Sequence, residues 1–517
     1  MIEGGFIVKI YKNIDETKEA VLEIIKNKSL TYEQQTHGLA KLAENQLPYP
    51  DGADENFFEL VHKGIICDLD EGHAPYAPRY ILPDYEKLLK KGCEFLRLKP
   101  AKTLTDAINM LLIFYHHVPS VTRFPVYLGS IDKLLDPFIV DEKEAREQIK
   151  WFLINLDRTI DDSFSHANIG PEETLAGNII MDLEKELQNV TPNLTILYDE
   201  DKTSNKFALK CVESSLICAN PAFANDKMFR EDFKGDYGIA SCYNGLPIGG
   251  GAFTLSRLRL NKIAEDSKST EEFFNVKLLE AIDAMTKFME SKIRFIVEET
   301  PFFKSNFLVT EGFVKLDRFV GLFGMVGMHE CVTKLMKLDN KNLSFGKDQE
   351  ANELGVKILD IIKERVDSFE SKYGRIWGNR FILHSQVGAA GDEGTTAGMR
   401  IAIGEEIPLY DHLRQAGMFH KYFPSGIGDH FPFDHTANEN PQAVLDVFNG
   451  GFASGMRYIS AYSEDGDLIR VTGYLVKKSD LEKFNKGEQV SYDTIQYAQE
   501  PLNNYGILNR KVRGTND

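Results

Sequence analysis

Near its C-terminus the chain reads Asp467-Leu468-Ile469-Arg470-Val471-Thr472-Gly473-Tyr474-Leu475. Leu468, Ile469 and Val471 are β-formers, and a glycine two residues beyond Val471 reads as the turn or bulge that ends a strand. Glycine also has a property no other residue shares. With no side chain, its Cα can flatten without a clash, so Gly473 is either an ordinary turn or a position whose backbone chemistry requires glycine. The choice depends on what the rest of the chain brings to it.

At 517 residues and 58.5 kDa the chain suits several domains, or one large α/β barrel with insertions. A net charge of −18 opposes binding to nucleic-acid polymers, which need basic surface. The opening Met1-Ile2-Glu3-Gly4-Gly5 has no charged segment leading into an apolar one, so no signal peptide is expected. The most apolar runs, 110–115 and 319–328, are too short to span a bilayer, and no membrane association is expected. Cys67, Cys93, Cys211, Cys218, Cys242 and Cys331 form no C-x-x-C pair and read as reduced thiols. The cytoplasm is the expected compartment.

Helical spacing is expected over 6–48, 85–93, 104–116, 142–156, 270–298 and 352–373. Residues 64–70 read as a strand feeding a polar loop with His73 and Arg79, where Cys67 reads as a small buried hydrophobe. Asn193 opens a strand running to Tyr198 and either caps backbone or faces a substrate. The glycine-rich strand 319–328 delivers His329 and Glu330 into a helix, and Glu330 reads as structural or catalytic. His420, His430 and His435 lie close to Asp429 and Asp434, but their spacing fits no metal-ligand pattern, and no metal is expected. No repeat or low-complexity linker divides the chain. A peripheral helical segment 1–56, an α/β core 57–440 and a C-terminal module 441–517 are expected within one compact unit.

The second dense stretch is Gly238-Ile239-Ala240-Ser241-Cys242-Tyr243-Asn244-Gly245-Leu246-Pro247-Ile248-Gly249-Gly250-Gly251. It lacks the Lys and Ser/Thr of a phosphate loop and the spacing of a dinucleotide fingerprint. Instead the glycines let backbone make a tight finger, and Cys242 is the one cysteine in such a setting.

With Cys242 upstream, Arg470-Val471-Thr472-Gly473-Tyr474 resembles the Arg-Val-x-Gly-Tyr signature of the glycyl radical enzymes. Leu128-Gly129-Ser130-Ile131-Asp132 resembles a further passage of these enzymes, with Ser130 where arginine is usual. Pro192-Asn193-Leu194-Thr195 is another shared phrase, and the runs 250–264 and 319–331 are similar to class III (anaerobic) ribonucleotide reductases. As a whole the chain resembles the YjjI-type branch. The resemblance implies a ten-stranded α/β barrel of two half-barrels, with a cysteine loop and a glycine loop meeting at its centre. Gly473 would store the radical and Cys242 would become the thiyl. A separate activating enzyme using S-adenosylmethionine and an iron–sulfur cluster would install the radical, with no cofactor bound permanently here. The six cysteines lack cluster spacing, which agrees with that division. A homodimer is expected.

Departures from the relatives narrow the reaction. Tyr243 follows Cys242, so the adjacent cysteines of pyruvate formate-lyase are missing. Asn244 stands where eliminases such as glycerol dehydratase carry a glutamate base, and an amide cannot take a proton. Glu330, His430 and His435 are the candidates to replace it. No cysteine follows Cys331, so the zinc site of the reductases is absent, and the lead before residue 57 is too short for their regulatory domain. The expectation is an oxygen-sensitive enzyme that takes hydrogen from a small hydroxylated substrate, sugar- or nucleoside-like by the reductase passages. Elimination, cleavage or rearrangement would follow. Two alternatives stand beside it: a reduced ribonucleotide reductase using Cys67 as a second thiol, and a non-catalytic radical-bearing scaffold or repair partner.

Overall fold

The computed structural model describes residues 13–510 except 48, 51–52, 68, 70, 72–74, 161, 163, 387–391, 393, 472, 492–501 and 503–505. His73 therefore lies outside the described residues. The chain forms a mixed α/β fold around two five-stranded sheets. The first contains β1 (Ile66–Cys67), β2 (Tyr80–Leu82), β8 (Gly250–Arg259), β9 (Phe319–Val326) and β10 (Ile382–Ser385). Strands β8, β9 and β10 run parallel, while β1 and β2 both pair antiparallel with β8. The second sheet has the order β11 (Asp429–Phe433), β12 (Tyr458–Ser463), β5 (Ala222–Asn225), β4 (Asn193–Tyr198), β3 (His166–Ile169). Its one antiparallel step lies between β12 and β5.

Helices cover one face of each sheet. A methyl group built on Gly321 of β9 would press on Ile293 of the helix Leu278–Arg294. Lys292 of that helix and Thr254 of β8 both bind the buried Glu71 carboxylate. In the second sheet, Ile459 of β12 packs under Gly451 of the helix Pro441–Ala453. Because side chains alternate along a strand, the positions between these lie on the opposite faces, which are helix-free among the described residues. A hydrogen bond from Ser385 N, at the end of β10, to Gly426 O, just before β11, links the sheets at one seam (3.1 Å).

The expected strand 64–70 is short, because the helix Glu55–His62 and the left-handed turn at Gly64 occupy its approach. The expected helix 270–298 is interrupted by π-helical segments at Phe273–Lys277 and Phe295–Glu299. Asn193–Tyr198 and Phe319–Val326 form where β-branched and aromatic residues predict them. The large core takes in residues from Phe57 to Ala461, and a smaller cluster gathers Tyr462, Leu468, Val471, Tyr474 and Leu475 around Val190 and Cys218.

Candidate active site

Two hairpins meet between the sheets. The first pairs β6 (Gly238–Ala240) with β7 (Asn244–Leu246), leaving Ser241, Cys242 and Tyr243 at its tip. Ser241 takes a left-handed φ of +58°, an uncommon conformation for a residue with a side chain. The glycines make room for the hairpin. A methyl on Gly238 would stand 2.6 Å from the Tyr127 ring, and one on Gly245 would stand 2.4 Å from Phe229. Asn168 clamps the first strand of the hairpin, accepting from Ile239 N and donating to Ile239 O.

The second hairpin pairs β13 (Leu468–Arg470) with β14 (Leu475–Lys477), with Gly473 in its turn. Val471 N donates to Tyr474 O at 3.1 Å to close that turn, and Tyr474 packs against Phe164 with ring centres 4.8 Å apart. Arg470 is wholly buried. Its guanidinium donates to Ala219 O (3.0 Å) and Asn220 Oδ1 (3.3 Å), and burial holds its pKa below the usual arginine range. Asn220 in turn donates to Glu184, whose buried carboxyl is pushed up to about 8.

The tips touch. A methyl carbon placed on Gly473 would stand 1.8 Å from Cys242 Cβ and 2.9 Å from Cys242 Sγ, so only glycine fits. Asn193 Nδ2 donates to Gly473 O at 2.6 Å, and Tyr458 Oη donates to Cys242 O at 3.0 Å. His166 spans the hairpin and the sheet, with Nδ1 on Ser241 O (2.6 Å) and Nε2 on Thr195 Oγ1 (2.7 Å). Burial depresses its pKa to about 3, so the ring is neutral, donating from Nδ1 and accepting at Nε2.

Burial also pushes the Cys242 thiol above its ordinary pKa, and its S–H donates to Asn244 Oδ1 at 3.5 Å. A thiol kept protonated in a water-poor setting suits transfer of a hydrogen atom better than nucleophilic attack, for which a thiolate is needed. The contact between the tips sets this sulfur directly beside Gly473.

Register shows what surrounds the tips. On the helix-free face of the second sheet, His430, Ser460, Ala222, Thr195 and Asn168 lie in one row across the five strands. On the first sheet the corresponding row is Cys67, Arg257, Gly324 and His384. Tyr243, next to Cys242, lies between the rows. Its ring centre is 5.9 Å from that of His384 and 5.7 Å from that of Tyr458.

The site residues expected from sequence therefore separate. Cys242, Gly473, Asn193 and Asn244 come together, and His430 and Cys67 lie on the helix-free faces. Glu330 is partly buried, its carboxylate taken up by Thr396 through the backbone N (3.0 Å) and the hydroxyl. His435 starts an exposed 3-10 turn. The Asp429 carboxylate meets His412 Nε2 at 2.9 Å and accepts from the His430 backbone N at 2.8 Å, on the strand face opposite the His430 ring, so the run of histidines and aspartates is split across a strand. Residue-type reasoning missed His166, Thr195, Tyr458 and His384. Their signal was polar side chains at alternate positions of strands that are otherwise apolar and buried on both faces. Among the described residues, no helix is long and apolar enough to cross a membrane.

Comparison with known proteins places this geometry in a family setting. Residues 30–513 match the family described as glycyl radical enzyme YjjI-like. An uncharacterised protein of Haemophilus influenzae is 44% identical over 502 residues, covering 96% of this chain and 98% of its own. The uncharacterised protein YjjI of Escherichia coli is 42% identical over 497 residues, 95% of each chain. Among solved structures, the anaerobic ribonucleotide reductase of Thermotoga maritima in complex with dATP and CTP superposes with a TM-score of 0.66 at 14% identity, covering 91% of this chain and 89% of that one. The hydroxyproline dehydratase of Clostridioides difficile gives 0.63 at 13% identity, with 96% and 88% covered. These likenesses are of fold.

Proposed function

The chain belongs to the YjjI-like glycyl radical enzyme family, and we propose that within it Gly473 stores the radical and Cys242 carries it to the substrate. The observation that carries this reading is the contact between the tips, where a methyl on Gly473 would overlap Cys242. Glycyl radical enzymes receive their radical from an activating enzyme. In this reading a partner using S-adenosylmethionine and an iron–sulfur cluster removes one hydrogen atom from Gly473. The ten strands of the two sheets then act as one barrel around the hairpins, keeping water and oxygen from the radical.

Each hydrogen atom is returned in the cycle. The Gly473 radical takes hydrogen from the Cys242 S–H, leaving a thiyl and an intact glycine. The thiyl takes hydrogen from a substrate C–H, re-forming S–H and leaving a carbon radical. After rearrangement or loss of a leaving group, the product radical takes hydrogen back from Cys242, and Gly473 returns one to the sulfur. Asn193, donating to Gly473 O, holds the planar peptide in register with the sulfur. We read the substrate as small and hydroxylated, in keeping with dehydratase neighbours and the polar rows around Cys242, and elimination is the favoured outcome. Cys242→Ala tests the assignment: the activated variant keeps its glycyl radical spectrum and loses all transfer of deuterium from labelled substrate candidates. Transfer that survives the substitution removes Cys242 from this role.

A second reading, reduction of a ribose-like substrate, is favoured by the place of Cys67. It lies in the Arg257–Gly324–His384 row, with Sγ 3.8 Å from the Arg257 guanidinium.

A further inference from the structure

Two buried imidazoles flank the cysteine hairpin with the same arrangement. His384 of β10 contacts Ser425 Oγ through Nδ1 at 3.1 Å, and that hydroxyl donates its own hydrogen to Leu383 O at 2.8 Å. His430 of β11 contacts Ser460 Oγ through Nδ1, and that hydroxyl donates to Asp429 O at 3.4 Å. The Ser425 hydrogen is taken by Leu383 O, so its oxygen accepts and His384 donates from Nδ1; for His430, whose serine reaches Asp429 O only at 3.4 Å, the same assignment is part of the proposal. The proton then sits on Nδ1, and Nε2 is left as a bare acceptor. In both rings Nε2 is buried and, among the described residues, receives no hydrogen bond, although the Gln386 side chain lies close to the His384 ring. Burial is the main cause that holds both rings neutral, His384 near 3 and His430 well below the ordinary histidine value.

Each ring lies on the helix-free face of its sheet, and β10 and β11 meet at the seam made by Ser385 N and Gly426 O. Tyr243 touches the His384 ring on one side and Tyr458 on the other, and Tyr458 shares its strand face with Ser460, the partner of His430. A buried acceptor without a partner is costly, so a ligand that supplies hydrogen-bond donors is strongly favoured over one that does not. A neutral lone pair repels carboxylate or phosphate oxygens and welcomes hydroxyl hydrogens.

We propose that His384 and His430 form a two-point receptor for a polyol, each Nε2 accepting a hydrogen bond from a different hydroxyl of the substrate beside Cys242. This deepens, and rests on, the reading of Cys242 as the hydrogen-abstracting residue. Two hydroxyl anchors would fix which C–H bond faces the sulfur. The polyol stretch can be a free sugar alcohol or the diol of a ribose.

The test needs no radical, so it stands apart from that of the radical chemistry. Full-length, unactivated protein labelled with nitrogen-15 histidine is titrated with ethylene glycol, erythritol, xylitol and cytidine, and with permethylated erythritol as the control without hydroxyl hydrogens. The Nε2 resonances of His384 and His430 are expected to move upfield together with at least one hydroxylated probe and to stay in place with the ether. A response to cytidine alone marks a ribose diol, and a response to the alditols marks a free polyol. Two substitutions separate the ring nitrogens: His384→Asn and His430→Asn keep an amide near Ser425 or Ser460, while glutamine reaches toward the Nε2 position with a carbonyl oxygen. Each asparagine variant should bind the polyol about 3- to 10-fold more weakly, and each glutamine variant should recover most of that loss. Unmoved resonances with all four hydroxylated probes, or an equal response to the ether, overturns the proposal without any variant. So does unchanged affinity in both asparagine variants.

Discussion

Cys242 Sγ stands 2.9 Å from the position that a side-chain carbon on Gly473 would occupy, and Cys242 Cβ stands 1.8 Å from it. The contact is made by two hairpin turns 231 residues apart in sequence, one held by Asn168 of β3 and the other by Asn193 of β4. Gly473→Ala must therefore push the turns apart. Overpacking of a buried site costs about 1–3 kcal/mol, so the variant should melt earlier and should show no radical spectrum after activation. A variant as stable as the parent would mean that the tips do not touch.

Arg470 is the clamp of the glycine hairpin. Arg470→Lys keeps the charge but cannot reach both Ala219 O and Asn220 Oδ1 with one ammonium group. A loss of about 1–3 kcal/mol is expected, with faster limited proteolysis ahead of Gly473. Unaltered proteolysis would contradict the docking role.

Cys67 separates the two catalytic readings. If the reaction is an elimination or rearrangement, Cys67→Ala should retain most of the turnover of a deuterated substrate. If the enzyme reduces a ribose-like substrate, the same variant should lose product while keeping deuterium transfer to Cys242. Both are read by mass spectrometry of one reaction mixture.

Stability should fall on both sides of neutral pH, for opposite reasons. His166, His384 and His420 are each held at about 3 by burial, against about 6.5 when unfolded. A depressed histidine stabilises the fold fully above its unfolded value, and that contribution is lost as pH falls toward the folded one. Each contributes up to about 1.4 kcal/mol per pH unit across that window. Glu184 is the reverse case, raised to about 8 by burial, so its contribution is present below its unfolded value near 4.5 and lost as pH rises through 8. Glu184→Gln should therefore raise the melting temperature at about pH 8 and leave it little changed at about pH 4.5. A gain of equal size at both pH values would show that Glu184 is not titrating in this way.

The parts of the site legible in the sequence were those whose chemistry depends on residue type and near neighbours. Gly473 in a β-like run, Cys242 among glycines, and Asn193 at a strand opening all stood out, and all three meet. His166, Thr195, Tyr458 and His384 did not, because they are assembled by strand register between segments up to some 290 residues apart. Glu330 looked as available as any carboxylate until Thr396, 66 positions away, was seen to hold it. The seam between the sheets is likewise a matter of one long-range hydrogen bond. The interruptions of the 270–298 helix arise from π-helical turns that apolar periodicity does not encode.

Electron paramagnetic resonance of the protein after anaerobic treatment with an activating enzyme and S-adenosylmethionine reads the radical on Gly473 itself. A doublet from the single remaining α-hydrogen of Gly473 is expected, and on admission of air a break at that residue that releases a fragment of about 45 residues. A silent spectrum and an intact chain, with an activating enzyme shown to be competent, would contradict storage of the radical on Gly473.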